Sequence, residues 1–516
     1  MTAGVVRSRI LRDTYRDSVE LMRVAAEVER LPGVRRAALV LATPANRDVL
    51  RSAGLIDDIA AGARSSDLIV AVAGKDEPAA EAALARATAL LTSQTQSAVG
   101  SSRDAPAATI AQAVAAEPSA NLVLVSTPGS YATAEALKAL KRGLHVFLFS
   151  DNVPITDELE LKRLAVRKRL LVMGPDCGTA ILDGVPLGFA NAVRRGPIGL
   201  VGASGTGLQQ VVCLIDRLGM GISQAIGVGG RDLDERIGGL MMLTALDRLA
   251  EDGGTTVIVL ISKPPSATVS RRVLERARTA GKPVVVCFLG GDPALIGAAG
   301  ATSAATLEDA AVLAVKLAGG GPSRASVATE EEGDLVKAAL VQAARLAPGQ
   351  RAIRGLYSGG TLAYEAALLL KEAIPDAGAR RAHSLLDLGD DEFTVGRPHP
   401  MIDFRLRNER IAAAADDPAT AVVLLDVVLG YGSHADPAGE LAPVVEAARA
   451  RATAAGRELI VIGSVCGTRG DPQGLERQEL RLAAAGVRLA PSNARAARLA
   501  LRVAREADGR TASARP

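Results

Sequence analysis

Short apolar runs alternate with amphipathic segments along most of the chain. Between residues 107 and 190, continuous apolar runs lie at 122–125, 146–149 and 170–173. Their spacing of about 24 residues leaves room for one helix in each connection. Strands that are apolar on both faces are typical of parallel sheets covered by helices. The pattern therefore predicts an α/β fold with a parallel-sheet domain at 107–190.

The first hundred residues show the same alternation on a smaller scale. Apolar runs at 37–42 and 68–73 flank a helix that Pro44 opens, and an Ala-rich helix follows over about 77–93. We predict a small α/β domain at 1–100. The polar residues of 94–106 are typical of a linker.

The rest of the chain contains one pattern twice. Each copy has an apolar strand, a Ser-Gly turn, a helix, a Gly-bearing turn and two further strands. The strands of the first copy lie at 198–201, 257–261 and 284–289, and those of the second at 353–356, 422–425 and 459–462. This repeat predicts two flavodoxin-like domains, at 196–320 and 334–506, joined by a linker at 319–333.

Composition and charge exclude several function classes. Lys and Arg total 60 against 57 Asp and Glu, and aromatic residues are 2%, so the chain lacks the basic field and stacking rings of a nucleic-acid-binding protein. The four cysteines have no CxxC spacing, which argues against a zinc site or a disulfide scaffold. With no transmembrane-length apolar run and no signal peptide, we expect a cytoplasmic protein that does not bind membranes.

The matched Ser-Gly turns are the strongest candidate site. Each follows a strand and begins a helix, where glycine permits a tight turn and the free amides and helix dipole favour an anion. The candidate phosphate-binding residues are Ser204, Gly205, Thr206 and Gly207 in the first turn, and Ser358, Gly359, Gly360 and Thr361 in the second. One such turn is often only structural. Two at matching positions favour a single phosphate held between both helix starts.

A polar loop after the short strand 384–386 supplies the catalytic candidates, which are Asp387, Asp390, Asp391, Arg397 and His399. Asp390 and Asp391 could hold Mg²⁺ or orient an amine. Arg397 could grip a carboxylate with two hydrogen bonds, and His399 could move a proton. The alternative is a polar surface loop with a helix cap.

Three other residues have titratable side chains that could belong to a site. His145 opens a strand and is interpreted as structural. His434 lies in a Gly-rich turn, where a site role and a solvent-exposed role are equally consistent with the sequence. Cys466 ends a strand with no neighbouring base, which favours a structural or lining role.

From about residue 107 the chain resembles the succinyl-CoA synthetase superfamily, and over its full length it resembles the FdrA family. The superfamily motifs are Met173-Gly174-Pro175-Asp176-Cys177-Gly178, Val201-Gly202-Ala203-Ser204-Gly205-Thr206, Ile226-Gly227-Val228-Gly229-Gly230 and Leu386-Asp387-Leu388-Gly389. The FdrA-like stretches are 43–46, 387–391 and 396–403. The resemblance implies that 107–190 is a truncated Rossmann-like domain of the CoA-binding type, and that the two later domains are ligase-type.

Three departures from the ligases argue against their chemistry. Their phosphohistidine motif corresponds here to Gly297-Ala298-Ala299-Gly300-Ala301, which places Ala298 at the histidine position. The Gly-rich loop that holds the phosphates of CoA is absent, and no ATP-grasp domain fits in the length. A phosphate relay from ATP through histidine is therefore not expected, and the case for CoA as a cofactor is weak.

The FdrA resemblance implies one subunit of a multi-subunit carbamoyltransferase of allantoin and ureide breakdown. Such a transferase exchanges a carbamoyl group between oxamate and phosphate. Its ligand would be phosphate or carbamoyl phosphate, and its partners would be the other subunits of an oligomer. Two alternatives stay open, namely a succinyl-CoA ligase-like acyl-CoA synthetase or CoA-transferring protein, and a non-catalytic scaffold.

Overall fold

A computed structural model of the chain describes residues 5–14, 16, 18–99, 107–320, 327–374, 376–394 and 398–513. Internal contacts divide the chain into two units. One comprises Met1–Pro118 and Asp391–Pro398, and the other Ser119–Asp390 and His399–Pro516. Among the described helices, none combines the length and apolar character that crossing a membrane requires.

The first unit is a small α/β domain. Its elements are β1 (Val5–Leu11), α1 (Ser18–Glu29), β2 (Val34–Leu41), α2 (Pro44–Ser52), α3 (Asp58–Ala61), β3 (Leu68–Gly74), α4 (Glu77–Val99) and α5 (Ile110–Ala116). The strands form an antiparallel sheet in the order β1-β3-β2. Both faces of β3 are covered, because Val70 and Ile69 belong to different apolar clusters. Helix α4 takes up part of the predicted linker 94–106, and residues 100–106 lie outside the described part.

A three-stranded parallel sheet opens the second unit, in the order β4-β5-β6. Its elements are β4 (Leu122–Val125), α6 (Gly129–Lys141), β5 (His145–Leu148), α7 (Ile155–Lys168) and β6 (Val172–Met173). The predicted apolar runs form these strands. On α7, the fully buried Lys162 donates to the Glu158 and Asp232 carboxylates at 2.8 Å each, which ties this sheet to the next one.

A seven-stranded sheet follows. Its elements are β7 (Thr179–Leu182), β8 (Val185–Gly188), β9 (Arg195–Gly202), α8 (Gly205–Arg217), β10 (Ile222–Gly227), α9 (Leu240–Glu251), β11 (Val257–Ser262), α10 (Ala267–Arg278), β12 (Val284–Phe288), α11 (Pro293–Ala298), β13 (Thr302–Ser303) and α12 (Leu307–Leu317). The order is β13-β12-β11-β9-β10-β7-β8. The β7–β8 hairpin pairs antiparallel with β10, although sequence position had placed it in the domain at 107–190.

The last sheet has five parallel strands in the order β15-β14-β16-β17-β18. The elements are α13 (Val327–Ala343), β14 (Ala352–Tyr357), α14 (Gly360–Ala373), α15 (Ala377–Arg380), β15 (Ser384–Asp387), α16 (Asp391–Thr394), α17 (Arg405–Asp416), β16 (Thr420–Val428), α18 (Pro437–Ala454), β17 (Ile460–Cys466), α19 (Leu475–Ala484), β18 (Val487–Ala490) and α20 (Asn493–Ser513). Helix α16 groups with the first unit. Helix α13 begins inside the predicted linker 319–333, of which 321–326 lie outside the described residues.

The repeat predicted from sequence is visible in the topology. The strand order β13-β12-β11-β9-β10 has the same connectivity as β18-β17-β16-β14-β15. In both sheets the strand before the Ser-Gly turn, β9 or β14, lies where the chain reverses its direction of winding. Ligands of α/β sheets bind at the carboxyl ends of strands at such a point. The fold is therefore α/β with two domains of matching sheet topology.

Candidate functional site

The two Ser-Gly turns meet. The Ser204 Oγ lies 2.6 Å from the Thr361 Oγ1, and both side chains are buried. A Cβ added to Gly359 would lie 2.9 Å from the methyl carbon of Thr206. The starts of α8 and α14, contributed by the two copies of the repeat, therefore converge on one place.

The first turn is capped by its own side chain. Ser204 is the N-cap of α8, and its Oγ accepts from the Gly207 amide at 2.9 Å. Within the described chain, no carboxylate accepts a hydrogen bond from the amides of Gly205 or Thr206. The first-turn amides of a helix are hydrogen-bond donors without intrahelical partners. This turn is therefore open to an anion.

The second turn is capped by a distant side chain. Its N-cap is Gly359, which has no side-chain acceptor. The carboxylate of Asp426, at the end of β16, accepts from the amides of Ser358 and Gly359 at 2.8 Å each. Arg407 balances this buried charge, with its Nη1 3.0 Å from the Asp426 Oδ1. An internal anion thus already occupies part of the second turn.

The carboxylate of Asp387 lies beside Gly360, the first residue of α14. A Cβ added to Gly360 would lie only 2.2 Å from its Oδ2, so glycine is required for this approach. Its Oδ1 accepts from the Gly389 amide at 3.0 Å. Burial raises the pKa of Asp387, whereas the Gly389 hydrogen bond and the charge of Lys263 lower it. Asp387 is therefore a half-buried carboxyl group placed beside the paired turns.

Sequence reasoning missed Lys263. It follows β11 directly, is exposed, and holds its Nζ 5.7 Å from the centroid of the Tyr364 ring on α14. β11 pairs with β9, the strand that leads into the first turn. A lysine placed one residue after a central parallel strand was the available signal, because such positions face the ligand edge of the sheet.

His399 lies near the same turn. A Cβ added to Gly389 would lie 2.8 Å from the His399 Nε2 and 3.1 Å from the Ser358 carbonyl oxygen. The His399 Nδ1 accepts from the Met401 amide at 3.2 Å, so the neutral ring carries its proton on Nε2. Burial, together with the smaller effect of the Arg407 charge, lowers the pKa of His399 to about 4. His399 is therefore neutral near pH 7 and carries a proton on Nε2 that it can donate in a hydrogen bond.

The remaining loop residues are less defined. Asp390 is exposed, and its amide donates to the Asp387 carbonyl at 3.3 Å. The side chain of Asp391 and all of Arg397 lie outside the described residues, so their roles stay predictions. Among the described residues, no group of three or more His, Cys, Asp or Glu could hold a metal ion, and the structure gives the proposed Mg²⁺ no support.

The other candidates have structural partners. The Nδ1 atoms of His145, His383 and His434 each accept a backbone amide at 3.0–3.1 Å. Cys466 is buried, with its Sγ 3.9 Å from that of Cys213. These contacts agree with the structural interpretation of His145 and Cys466, and the role of His434 stays open.

Three family descriptions match parts of the chain. "AllF, heavy metal-associated domain" matches residues 1–108, "CoA binding domain" matches 193–290, and "CoA-ligase" matches 356–503. The CoA-binding match falls on the seven-stranded sheet, whereas the resemblance had placed the CoA-binding-type domain at 107–190. The CoA-ligase match covers the five-stranded sheet.

Individual proteins match as well. The chain is 44% identical to the uncharacterized protein YahF of Escherichia coli (strain K12) over 503 residues, which is 95% of this chain and 96% of YahF. It is 27% identical over 186 residues to the α1 subunit of the ADP-forming succinate–CoA ligase of Archaeoglobus fulgidus, covering 35% of this chain and 62% of that subunit. The chain thus spans less than two thirds of this ligase subunit.

One solved structure that the chain matches is the dinucleotide-forming acetyl-coenzyme A synthetase 1 of Ca. Korarchaeum cryptofilum in complex with phosphate and ADP. It is 15% identical, with a TM-score of 0.32, over 77% of this chain and 85% of that one.

The heavy-metal description of the first unit is not matched by its residues. Soft metals prefer thiolate and imidazole ligands. Every cysteine and histidine lies after residue 144, at Cys177, Cys213, Cys287, Cys466, His145, His383, His399 and His434. Residues 1–108 therefore offer no such ligand, and we assign no metal to this unit.

Proposed function

We propose that this chain, which belongs to the family of YahF within the succinyl-CoA synthetase-like superfamily, is the FdrA-like subunit of a multi-subunit carbamoyltransferase. In the degradative direction, phosphate attacks the carbamoyl carbon of oxalurate (N-carbamoyl-2-oxoglycine). A C–O bond to phosphate forms, the C–N bond breaks, and the proton of hydrogen phosphate moves to the leaving nitrogen. The products are carbamoyl phosphate and oxamate, and neither ATP nor a phosphohistidine takes part.

The observation that carries this proposal is the 2.6 Å contact between Ser204 and Thr361. It brings together two helix starts, and helix starts are ready-made anion sites. A carbamoyl phosphate enzyme needs such a place for the phosphate.

The two turns would contribute unequally. The amides of Gly205 and Thr206 are open, whereas those of Ser358 and Gly359 already hold Asp426. We therefore place the phosphate at the start of α8. The ammonium of Lys263, across from α14, would supply a positive charge that a helix start alone lacks.

The neighbouring groups suit the proton transfer. Asp387, a carboxyl group with a raised pKa, would carry the proton from phosphate to the leaving nitrogen. His399, protonated on Nε2, would donate a hydrogen bond to an oxygen of the oxalurate. Arg397 would hold the oxalurate carboxylate, as its position in the loop suggests.

The CoA-binding and CoA-ligase matches favour a second candidate, an acyl-CoA synthetase or CoA-transferring protein. Ala298 at the phosphohistidine position argues against the ligase reaction but not against CoA transfer. Calorimetric titration of the chain with CoA separates the candidates, since the carbamoyltransferase requires no CoA affinity.

We further propose that the chain works in the cytoplasm as part of an oligomer with the other transferase subunits. The chemistry then depends on partners, so the test should begin with them. The chain should be purified with its bound subunits from the cells that make it.

The test measures phosphate-dependent formation of oxamate from oxalurate by this complex. We expect Gly205→Val to lower the rate about a hundredfold, because a branched side chain at the start of α8 would crowd the Gly205 and Thr206 amides that would bind the phosphate. Gly253→Val is the matched control, since a Cβ there would meet nothing within 4 Å. Full activity of the Gly205→Val complex would overturn the role of the turn, and a product that forms only with CoA would favour the second candidate.

A further inference from the structure

A second concave site lies away from the paired turns. It is a pocket of about 130 Å³ between α13 and α20, at the carboxyl end of β18. Leu335 and Val336 of α13 and Leu499 of α20 contribute its apolar lining, and Arg495, Arg498 and Arg502 of α20 contribute its charged lining. Three arginines on successive turns of one helix give this pocket a strong positive charge.

The arginines differ in how they are held. Arg495 is 23% exposed and fixed by Glu308, with its Nε 2.7 Å from the carboxylate. Arg498 and Arg502 are exposed, and neither forms an ion pair within the described part of the chain. Guanidinium groups bind oxyanions with two parallel hydrogen bonds. The pocket therefore has one anchored and two available anion-binding groups.

The duplicated fold gives an internal control. In the first copy, α12 follows β13 in the same way that α20 follows β18. The first turn of α12 carries Glu308 and Asp309, and its last turn carries Lys316. The arginine row is thus specific to the second copy and is not a requirement of the fold.

The pocket is connected to the start of α14. Asn493, the first residue of α20, donates through its Nδ2 to the Leu362 carbonyl at 2.9 Å and to the Glu365 carboxylate at 2.8 Å. The pKa of Glu365 is raised to about 7. Burial is the main cause, and the hydrogen bonds from Asn493 and Leu307 and the charge of Arg498 offset it only in part. Asn493 thus links the start of α20, the helix that carries the arginines, to the first turn of α14.

We propose that this pocket is a regulatory site for a small oxyanion, a phosphate or a carboxylate, whose binding steadies the start of α14. The volume exceeds that of inorganic phosphate, and the apolar wall suits a short carbon chain attached to the anion. The site is separate from the proposed carbamoyl transfer and does not depend on it.

Isothermal titration of the purified chain tests the site, with inorganic phosphate in one arm and succinate in the other. The titration uses the Gly205→Val chain, in which the valine is intended to exclude phosphate from the first turn. We expect Arg498→Ala/Arg502→Ala in that background to weaken binding at least tenfold. Arg163→Ala/Arg278→Ala removes two exposed charges elsewhere and should change nothing. Tighter binding of succinate than of phosphate would assign the ligand to the carboxylates, and the reverse to the phosphates.

Unchanged affinity in Arg498→Ala/Arg502→Ala, or no binding to the Gly205→Val chain in either arm, would overturn the pocket. Neither result tests phosphate binding at the paired turns, because that binding is measured separately with the chain that keeps Gly205. Hydrogen exchange supplies the second readout. Occupancy of the pocket should slow exchange in the first turns of α14 in the Gly205→Val chain, and an unaltered rate there would overturn the regulatory coupling.

Discussion

The two Ser-Gly turns occupy matching places in two sheets of the same topology, and they solve the same problem differently. In the first turn, the Ser204 hydroxyl caps its own helix. In the second, Gly359 leaves the cap open, and Asp426 supplies it from β16. In β16, Asp426 follows Leu425. The equivalent position of β11 is Ile261, which pairs with Gly202 of β9.

The difference extends along the helices. Counted from the first residue of each helix, Gln210 of α8 corresponds to Glu365 of α14, and both are 2% exposed. The first copy therefore has the neutral Gln210 where the second has Glu365, and the second also places Asp426 and Asp387 around its turn. In the proposed function, the first copy holds the anion and the second replaces it with an internal carboxylate.

The largest expected effect comes from removing that internal carboxylate. Asp426→Ala would leave Arg407 buried without its counter-charge and two amides without an acceptor. Breaking a buried pair in this way costs about 3–5 kcal/mol, so the midpoint of urea unfolding should fall clearly. Glu476→Ala breaks an exposed pair with Arg469 and serves as the control, with no change expected. Equal midpoints for the two variants would contradict a capping role for Asp426.

The next largest effects are two pH dependences of stability with opposite signs, one at Glu365 of α14 and one at His399. The pKa of Glu365, raised from 4.5 to about 7, gives stability that is present below about pH 4.5 and lost as the pH rises to 7. The pKa of His399, lowered from 6.5 to about 4, gives stability that is present above pH 6.5 and lost as the pH falls to 4. Each effect is worth about 3 kcal/mol at most.

Unfolding midpoints measured between pH 4 and 8 separate the two groups. Relative to the unmodified chain, Glu365→Gln should gain stability as the pH rises from 4.5 to 7. His399→Asn should lose stability relative to the unmodified chain as the pH rises from 4 to 6.5. Parallel pH curves for a variant and the unmodified chain would mean that the pKa of that group is not shifted by folding.

Glycine substitutions compare the turns directly. A Cβ at Gly205 would lie 3.3 Å from the Thr179 Oγ1, a contact that a small shift relieves. A Cβ at Gly360 would displace the Asp387 carboxylate. We expect Gly205→Ala to keep its melting temperature and lose at least tenfold in phosphate affinity, and Gly360→Ala to lower the melting temperature. Equal losses of phosphate affinity in the two variants would instead favour one phosphate held equally by both turns.

A smaller effect is expected at Lys263. If its ammonium binds phosphate, Lys263→Met should weaken phosphate about tenfold, or about 1.4 kcal/mol, as measured by titration calorimetry. Lys263→Arg should recover most of the affinity, since it keeps the charge. Lys316→Met, on the exposed side of α12, is the matched control. Identical affinities for the Lys263→Met and Lys316→Met chains would remove Lys263 from the site.

The fold was accessible from sequence because its signals are local. Apolar runs mark buried parallel strands, and the Ser-Gly turns mark the repeat. The β7–β8 hairpin was misplaced because pairing with β10 is a long-range choice that its residues do not encode locally. Helices α4 and α13 extend into predicted linkers, since polar residues such as the Gln of α4 and the Glu of α13 are also good helix formers.

The site was only partly accessible for the same reason. The turns and Asp387 stand out as motifs. Asp426 was hidden, because it lies inside an apolar strand 67 or more residues from the amides it caps. The protonation state of His399 was hidden as well, since only the fold shows that its Nδ1 is occupied and that burial lowers its pKa.

The central claim is that one phosphate binds at the start of α8, beside Ser204 and Thr361. Anomalous diffraction from crystals soaked in arsenate, an isostere of phosphate, tests it most directly. The account predicts an arsenic peak within hydrogen-bond distance of the Gly205 and Thr206 amides, with the Lys263 ammonium turned toward it. Arsenic bound at the start of α14 in place of the Asp426 carboxylate, or absent from both turns, would contradict the account.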